Sequence, residues 1–380
     1  MRVLFCRSNP IAPDPRVEKE AITLAKSGYK VEAIAWDRSA TLPTSDDQHG
    51  FRIHRLHIQA EFGHGLGNLP SLLRWQYGLA VWLIQHKASY DIIHACDFDT
   101  ILPALLSKLL FRKKVVYDIF DFYADHLRAT PQIIKTIIKK LDLFFIGFAD
   151  ATILVDESRR AQISGANPRK LIYIYNSPKE TGLDIQVDPK SAPLRIVYVG
   201  LLQIERGLIE LLEILGRHPE WSLDLAGFGG DEAQIRTRAS EFPNINWHGR
   251  ISYSEALSLS KSADVFIATY DPTIPNHRYS SPNKIFEAMM LGKPVIVARH
   301  TNMDRIIEKW KCGLVVEYSN LEALDQAFTK LASNPNLRVE LGQNGRKAYE
   351  KEFSWEQMQK RLRDLYLELE SKENLWQKSF

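Results

Sequence analysis

Apolar positions fall in short runs separated by helical repeats. Residues 3–6 and 31–36 are runs of the kind a strand buried on both faces shows, and between them Val17, Ala21, Leu24 and Ala25 recur at helical spacing. Asp14-Pro15 ahead of that repeat predicts an N-cap and a first helical residue, and Gly28 a C-terminal cap. This is a βαβ unit. It recurs, with strands expected near 92–94, 115–117 and 151–155. Residues 177–193 then hold three prolines and little periodicity. A second series follows: strands at 196–199, 222–225, 245–248, 265–269, 294–298 and near 314–316, with helices at 208–215, 253–260, 284–291, 320–333 and 336–352. Residues 355–369 predict a long amphipathic helix.

Such a pattern predicts an α/β protein of two tandem Rossmann-like doubly wound domains, with a ligand cleft facing the carboxyl ends of both sheets. The expected limits are 1–178 for an acceptor-binding domain, 179–193 for a linker, 194–352 for a nucleotide-sugar-binding domain, and 353–380 for a helix returning to the first domain. A chain of 380 residues suits two cores better than one. With 45% apolar and 25% charged residues it is not a disordered, collagen-like or coiled-coil chain. No apolar run is long enough to cross a bilayer, and charge and proline come too early after Met1 for a secretory signal. Cys6, Cys96 and Cys312 lack disulfide or zinc spacing. A cytoplasmic protein is expected. The net charge of +3 is too small to suggest nucleic acid, and the excess lies in residues 1–150, with 19 Lys+Arg against 16 Asp+Glu.

The candidate chemistry concentrates in the second half. Pro282-Asn283 before Lys284 is a helix start, and a helix N-terminus offers free N–H groups and a positive dipole to an anion. Lys284 adds a cation there, and Arg206 beside Gly207, just after a strand, adds another. Residues 280–298, SSPNKIFEAMMLGKPVIVA, together with Gly200, the turn Gly227-Phe228-Gly229, Trp247-His248-Gly249-Arg250, Cys312-Gly313 and 342–346 stand in a specific order. That order resembles the retaining glycosyltransferases of GT-B fold, family 4 (group 1) type. In the first half, 14–17, 94–97 and Tyr117-Asp118 are similar to the same family's weaker landmarks. The resemblance implies donor binding by Gly200, Arg206, Gly227, Gly229, Arg250, Ser281, Asn283 and Lys284, with Glu287 accepting hydrogen bonds from the ribose hydroxyls. It further implies a metal-independent reaction with no resident cofactor, the nucleotide diphosphate sugar being the donor substrate.

Three departures stand out. The first of the family's paired glutamates falls on Tyr279, so Tyr279, Asp271 or His277 would have to supply its contact. The family's first-domain histidine falls on Phe120, which passes any catalytic role there to Asp121 or elsewhere. The glycine-rich loop after the first strand is replaced by residues 8–13, whose prolines fix the backbone.

On the acceptor side the candidates are Asp14, Arg16 and His94. Capping accounts for Asp14, Arg16 has no evident structural reason, and His94 is expected at a strand end, as proton carrier, sugar contact or structural residue. Asp97-Phe98-Asp99 fits an acid-x-acid metal pattern, although the wound sheets favour a polar loop. Residues 131–148 carry a broad apolar face of Ile133, Ile134, Ile137, Ile138, Leu141, Phe144, Phe145 and Phe148 beside Lys135, Lys139 and Lys140. A face this wide reads first as core, with contact to an anionic membrane as the alternative.

The expected activity is transfer of a hexose from a nucleotide diphosphate sugar to an acceptor hydroxyl, in cell-surface glycan or glycolipid synthesis. Arg206 and Lys284, with Asp121, are the expected catalytic groups. The acceptor would be a glycan or lipid-linked, at the inner face of the plasma membrane. The alternatives are a silent nucleotide-binding subunit or a sugar-nucleotide epimerase or hydrolase. A dinucleotide oxidoreductase is disfavoured because no GxGxxG follows the first strand.

Overall fold

The computed structural model describes residues 1–48, 50–61, 65–127, 130–180 and 193–377. Most of the expected linker, 181–192, lies outside the described residues. The chain forms two compact units, one of residues 1–175 and 358–380 and the other of residues 176–357.

The first unit is built on an eight-stranded sheet. Its strands are β1 (Arg2–Arg7), β2 (Lys30–Asp37), β3 (Ser45–Gln48), β4 (Phe51–His57), β5 (Ile92–Cys96), β6 (Lys114–Ile119), β7 (Ala151–Leu154) and β8 (Leu171–Tyr173). The order is β3-β4-β2-β1-β5-β6-β7-β8, parallel except where β3 runs against β4. Phe5 pairs with Ala33 on one side and His94 on the other, so the order reverses between β1 and β5. The helix Pro15–Lys26 starts as its sequence predicts: the Asp14 carboxylate accepts from the Val17 N–H, and proline occupies the first turn. The helix Trp355–Gln377 enters this unit at Met358 and buries Leu362, Leu365, Tyr366 and Leu369.

In the second unit the strands are β9 (Arg195–Leu201), β10 (Ser222–Phe228), β11 (Ile245–Gly249), β12 (Val265–Ala268), β13 (Val295–Ala298) and β14 (Gly313–Val316). They pair in parallel in the order β11-β10-β9-β12-β13-β14. The reversal between β9 and β12 opens a crevice at their carboxyl ends, where wound sheets bind ligands. Two α/β domains on parallel sheets are therefore present.

Three expectations need correction. The helix foreseen at 336–352 stops at Ala348 and continues as a wider turn over Tyr349–Phe353. His94 lies in the middle of β5 instead of at its end. The wide apolar face around residues 131–148 is largely not core: Ile133, Ile137, Leu141, Phe144 and Phe148 are exposed, whereas Asp142 and Ile146 are buried. Periodicity identifies a helix's apolar face but does not say whether anything covers it.

Candidate functional site

Three segments converge at the crevice of the second unit. The first leaves β9 through Gly200 and forms the short turn Ile204–Arg206 before Gly207 opens the helix Leu208–Arg217. Gly207 has φ +70°, and a Cβ there would collide with Thr269, so the turn brings Arg206 against β12 only if residue 207 is glycine. The second segment leaves β12 as Thr269-Tyr270-Asp271. The third is Ser281-Pro282 leading into the helix Asn283–Met290, whose N-terminus no side chain caps.

Arg206 is locked in place. Its Nε donates to Gln203 Oε1 at 2.9 Å, its Nη1 donates to Tyr270 Oη at 3.2 Å, and its guanidinium lies 4.7 Å from the Tyr270 ring centroid. Lys284 is not neutralised. Its ammonium group sits 3.5 Å from the Tyr198 ring centroid and 5.6 Å from that of Tyr270, and its Nζ is buried with no hydrogen-bond partner. Burial first, then the charge of Arg206, pushes the Lys284 pKa well below the usual lysine value, with Glu287 only partly opposing. The Ser281 hydroxyl beside it is also buried and without a partner. Gly200 lies directly beside the ammonium: a Cβ there would stand in ordinary contact with Nζ, at 3.5 Å. A buried cation over aromatic faces, an idle hydroxyl and an uncapped helix start make a receptor for a polyanion.

The remaining expected donor residues surround this centre more loosely. Glu287, one turn further along the helix, takes the Tyr253 hydroxyl as a partner; burial first and Glu287 second raise the Tyr253 pKa. Gly227 lies where any Cβ would strike the Gly200 carbonyl oxygen, so it holds β9 and β10 close at their ends. The Gly229 N–H donates to Glu232 Oε2 at 3.0 Å. Arg250 stacks on exposed Phe228, 4.6 Å from its ring centroid. Asn283 is exposed at the helix start, and Tyr279 is half-buried at the end of the helix Pro275–Arg278. Asp271 accepts from the Thr273 N–H and hydroxyl, while His277 packs 5.2 Å from the Tyr270 ring. Sequence reasoning missed Tyr198, Tyr270, Tyr253 and Gln203. For the first two the available signal was a tyrosine inside one strand flanking the reversal and another two residues past the end of the other.

Near the reversal in the first unit most charges are paired internally, Glu20 through ion pairs with Arg16 and His94 without a hydrogen bond. Arg16 is buried and does have a structural reason: it donates to both Asp118 oxygens, at 2.9 and 3.1 Å from Nη2, and to the Ile174 carbonyl at 2.7 Å. His94, expected on the acceptor side, is fully buried, with Nδ1 2.7 Å from Tyr366 Oη and Nε2 3.3 Å from Asp118 Oδ2. Burial lowers its pKa, with Asp118 opposing. Asp14 caps its helix and also accepts from Arg7 and Asn9. Asp121, expected to be catalytic, is partly exposed and paired with Arg159 at 2.7 Å. Phe120 lies beneath the guanidinium groups of Arg7 and Arg16, at 4.1 and 4.8 Å from its centroid. Asp97 accepts from Arg7 and from the Phe120 N–H, so it and Asp99 are not arranged as a free ligand pair. Burial lifts the Asp97 pKa to about 6 against the opposing pull of Arg7.

Among the described residues, one trio has metal-ligand composition: Glu20, His94 and Asp118, with donor atoms within 4.8 Å of one another. Arg16 already pairs with both carboxylates, at 3.3 and 2.9 Å, and fills the role a cation would have.

Residues 184–348 match the family described as glycosyl transferases group 1. An uncharacterised glycosyltransferase of Methanocaldococcus jannaschii is 26% identical over 314 residues, covering 80% of this chain and 84% of that protein. Among solved structures, sucrose-phosphate synthase from Thermosynechococcus elongatus superimposes with a TM-score of 0.80 at 16% identity, covering 98% of this chain and all of that one. Anabaena HepE in complex with UDP and glucose gives 0.69 at 15% identity, over 96% of this chain and 99% of that one.

Proposed function

From a chain that belongs, through its second unit, to the group 1 glycosyltransferases and has the GT-B fold, we propose a retaining hexosyltransferase. It moves a sugar from a nucleotide diphosphate sugar to an acceptor hydroxyl without a metal ion. Its product is a cell-surface glycan or glycolipid, made in the cytoplasm at the inner face of the plasma membrane. The observation that carries this reading is the buried, unpartnered ammonium of Lys284 beside Arg206 at an uncapped helix start. A diphosphate supplies the anion this pocket lacks, and HepE, bound to UDP, has the same fold.

In the reaction the bond from the anomeric carbon to the diphosphate oxygen breaks and the bond to the acceptor oxygen forms on the same face. The acceptor's proton passes to the departing phosphate. Arg206, Lys284 and the helix N–H groups stabilise the charge growing on that diphosphate, and they are already in place before it grows. Glu287 holds the ribose, and Ser281 and Asn283 orient the phosphates. The test titrates UDP, GDP, ADP and dTDP while thermal unfolding is followed, and then supplies the matching nucleotide sugars. One diphosphate is expected to protect the protein, with protection lost in Arg206→Ala and Glu287→Ala. Protection by none of them would overturn the donor assignment.

A further inference from the structure

Of the seventeen exposed large apolar side chains among the described residues, thirteen belong to three helical stretches of the first unit. These are the helix Leu69–Gln85 (Leu69, Leu73, Tyr77, Ile84), the helix Phe98–Phe111 (Leu102, Leu106, Leu109, Leu110), and the helix Gln132–Ile146 with the turn after it. The first helix packs on the second and the second on the third. Their inner sides, through Trp75, Leu79, Ile101, Ala104 and Ile146, join one core beneath them. The outward residues recur every three or four positions, so each helix presents a stripe, and the stripes lie side by side. Tyr77, Leu109 and Ile133 are more than 70% exposed. Single exposed apolar residues need no explanation, but a contiguous field of them marks a docking surface.

Charge identifies what docks. The only acids on these helices, Asp99 and Asp142, are buried, and Asp142 accepts from Tyr117. The other charged residues on them are cations: Arg74, Lys135, Lys139 and Lys140, with Lys87 and Arg112 just beyond two helix ends, and Lys108, which is paired with Asp150 past the third helix. A second copy of the chain would set this patch against itself across a two-fold axis, cation facing cation. Convex helix surfaces of Leu, Ile and Phe with cations around them match a bilayer, which places anionic headgroups above acyl chains.

We propose that this three-helix face seats the protein on an anionic lipid surface, its apolar stripes among the upper acyl chains and its cations at headgroup phosphates. This deepens the function given above by making the acceptor a lipid-borne hydroxyl. That consequence rests on the transferase reading, whereas the docking itself does not.

The experiment sediments the full chain with phosphatidylcholine vesicles with or without phosphatidylglycerol. Binding is expected to the anionic vesicles, and to weaken at least about tenfold without phosphatidylglycerol or at high salt. The triple variant Lys135→Glu, Lys139→Glu, Lys140→Glu and the double variant Ile133→Ser, Ile137→Ser should each lose about tenfold or more. Both are expected to keep the wild-type unfolding temperature and diphosphate protection. Equal sedimentation of variants and wild type, or none with anionic vesicles, would overturn the proposal. So would a dimer that the Ile133→Ser, Ile137→Ser variant dissociates. Vesicle binding without diphosphate protection would leave the docking standing and remove the donor assignment.

Discussion

Both units are wound sheets whose strand order reverses once, yet the charges near the two reversals are treated in opposite ways. In the first unit Arg16 meets Asp118, Arg7 meets Asp14 and Asp97, and the imidazole of His94 is held between Asp118 and Tyr366. In the second, Lys284 is buried to a similar degree with no hydrogen-bond acceptor. A buried charge with a partner inside the fold is accounted for by the fold, whereas a buried cation without an acceptor, set at a helix start, is a candidate for binding an anion. The same topology thus yields a self-neutralised centre in one unit and a receptor in the other.

The comparison is broken most severely by removing the counter-charge of the first centre. Asp118→Ala leaves Arg16 buried without its main partner and should cost about 3–5 kcal/mol, read from denaturant unfolding of the full chain. Lys284→Met is the opposite case. It removes an uncompensated cation, so thermal stability should hold or rise while turnover falls about 10²–10³-fold in a nucleotide-sugar assay. If Lys284→Met destabilised the fold as Asp118→Ala does, the distinction between the two centres would collapse.

Proton uptake gives the smallest effect and the finest test. The free lysine has a depressed pKa and a bound diphosphate raises it, so binding takes up a proton wherever the pH lies between the two values. Diphosphate affinity should therefore fall as pH rises, by up to about tenfold per unit. Calorimetry in buffers of different ionisation enthalpy would detect the proton, and its absence would mean that Lys284 is already charged in the free protein.

Much of the second unit was legible because β12 and β13 are continuous apolar runs and the helices after Ser252 and Asn320 start on capping side chains. In the first unit β3 was not, since Ser45–Gln48 contains no apolar residue, and β4 alternates charged and apolar residues as FRIHRLH. Motif order and the helix start revealed Arg206 and Lys284. The role of Arg16 was hidden because its partner Asp118 is 102 residues away. Tyr198 and Tyr270 escaped because their value lies in where the rings stand relative to Lys284, which depends on how two strands and a helix converge.

The Tyr366–His94 hydrogen bond spans 272 residues of chain and lies wholly within the first unit. On a ribosome the strand carrying His94 emerges before the whole of the second unit, and the helix that completes its surroundings only after it. At about 5–20 residues per second, synthesis of the intervening second unit alone takes roughly ten to forty seconds. For that interval the nascent first unit lacks the Tyr366 partner of His94, and by the time the helix emerges the unit encoded before it has every strand it needs. The order of translation and the order of completion are therefore reversed.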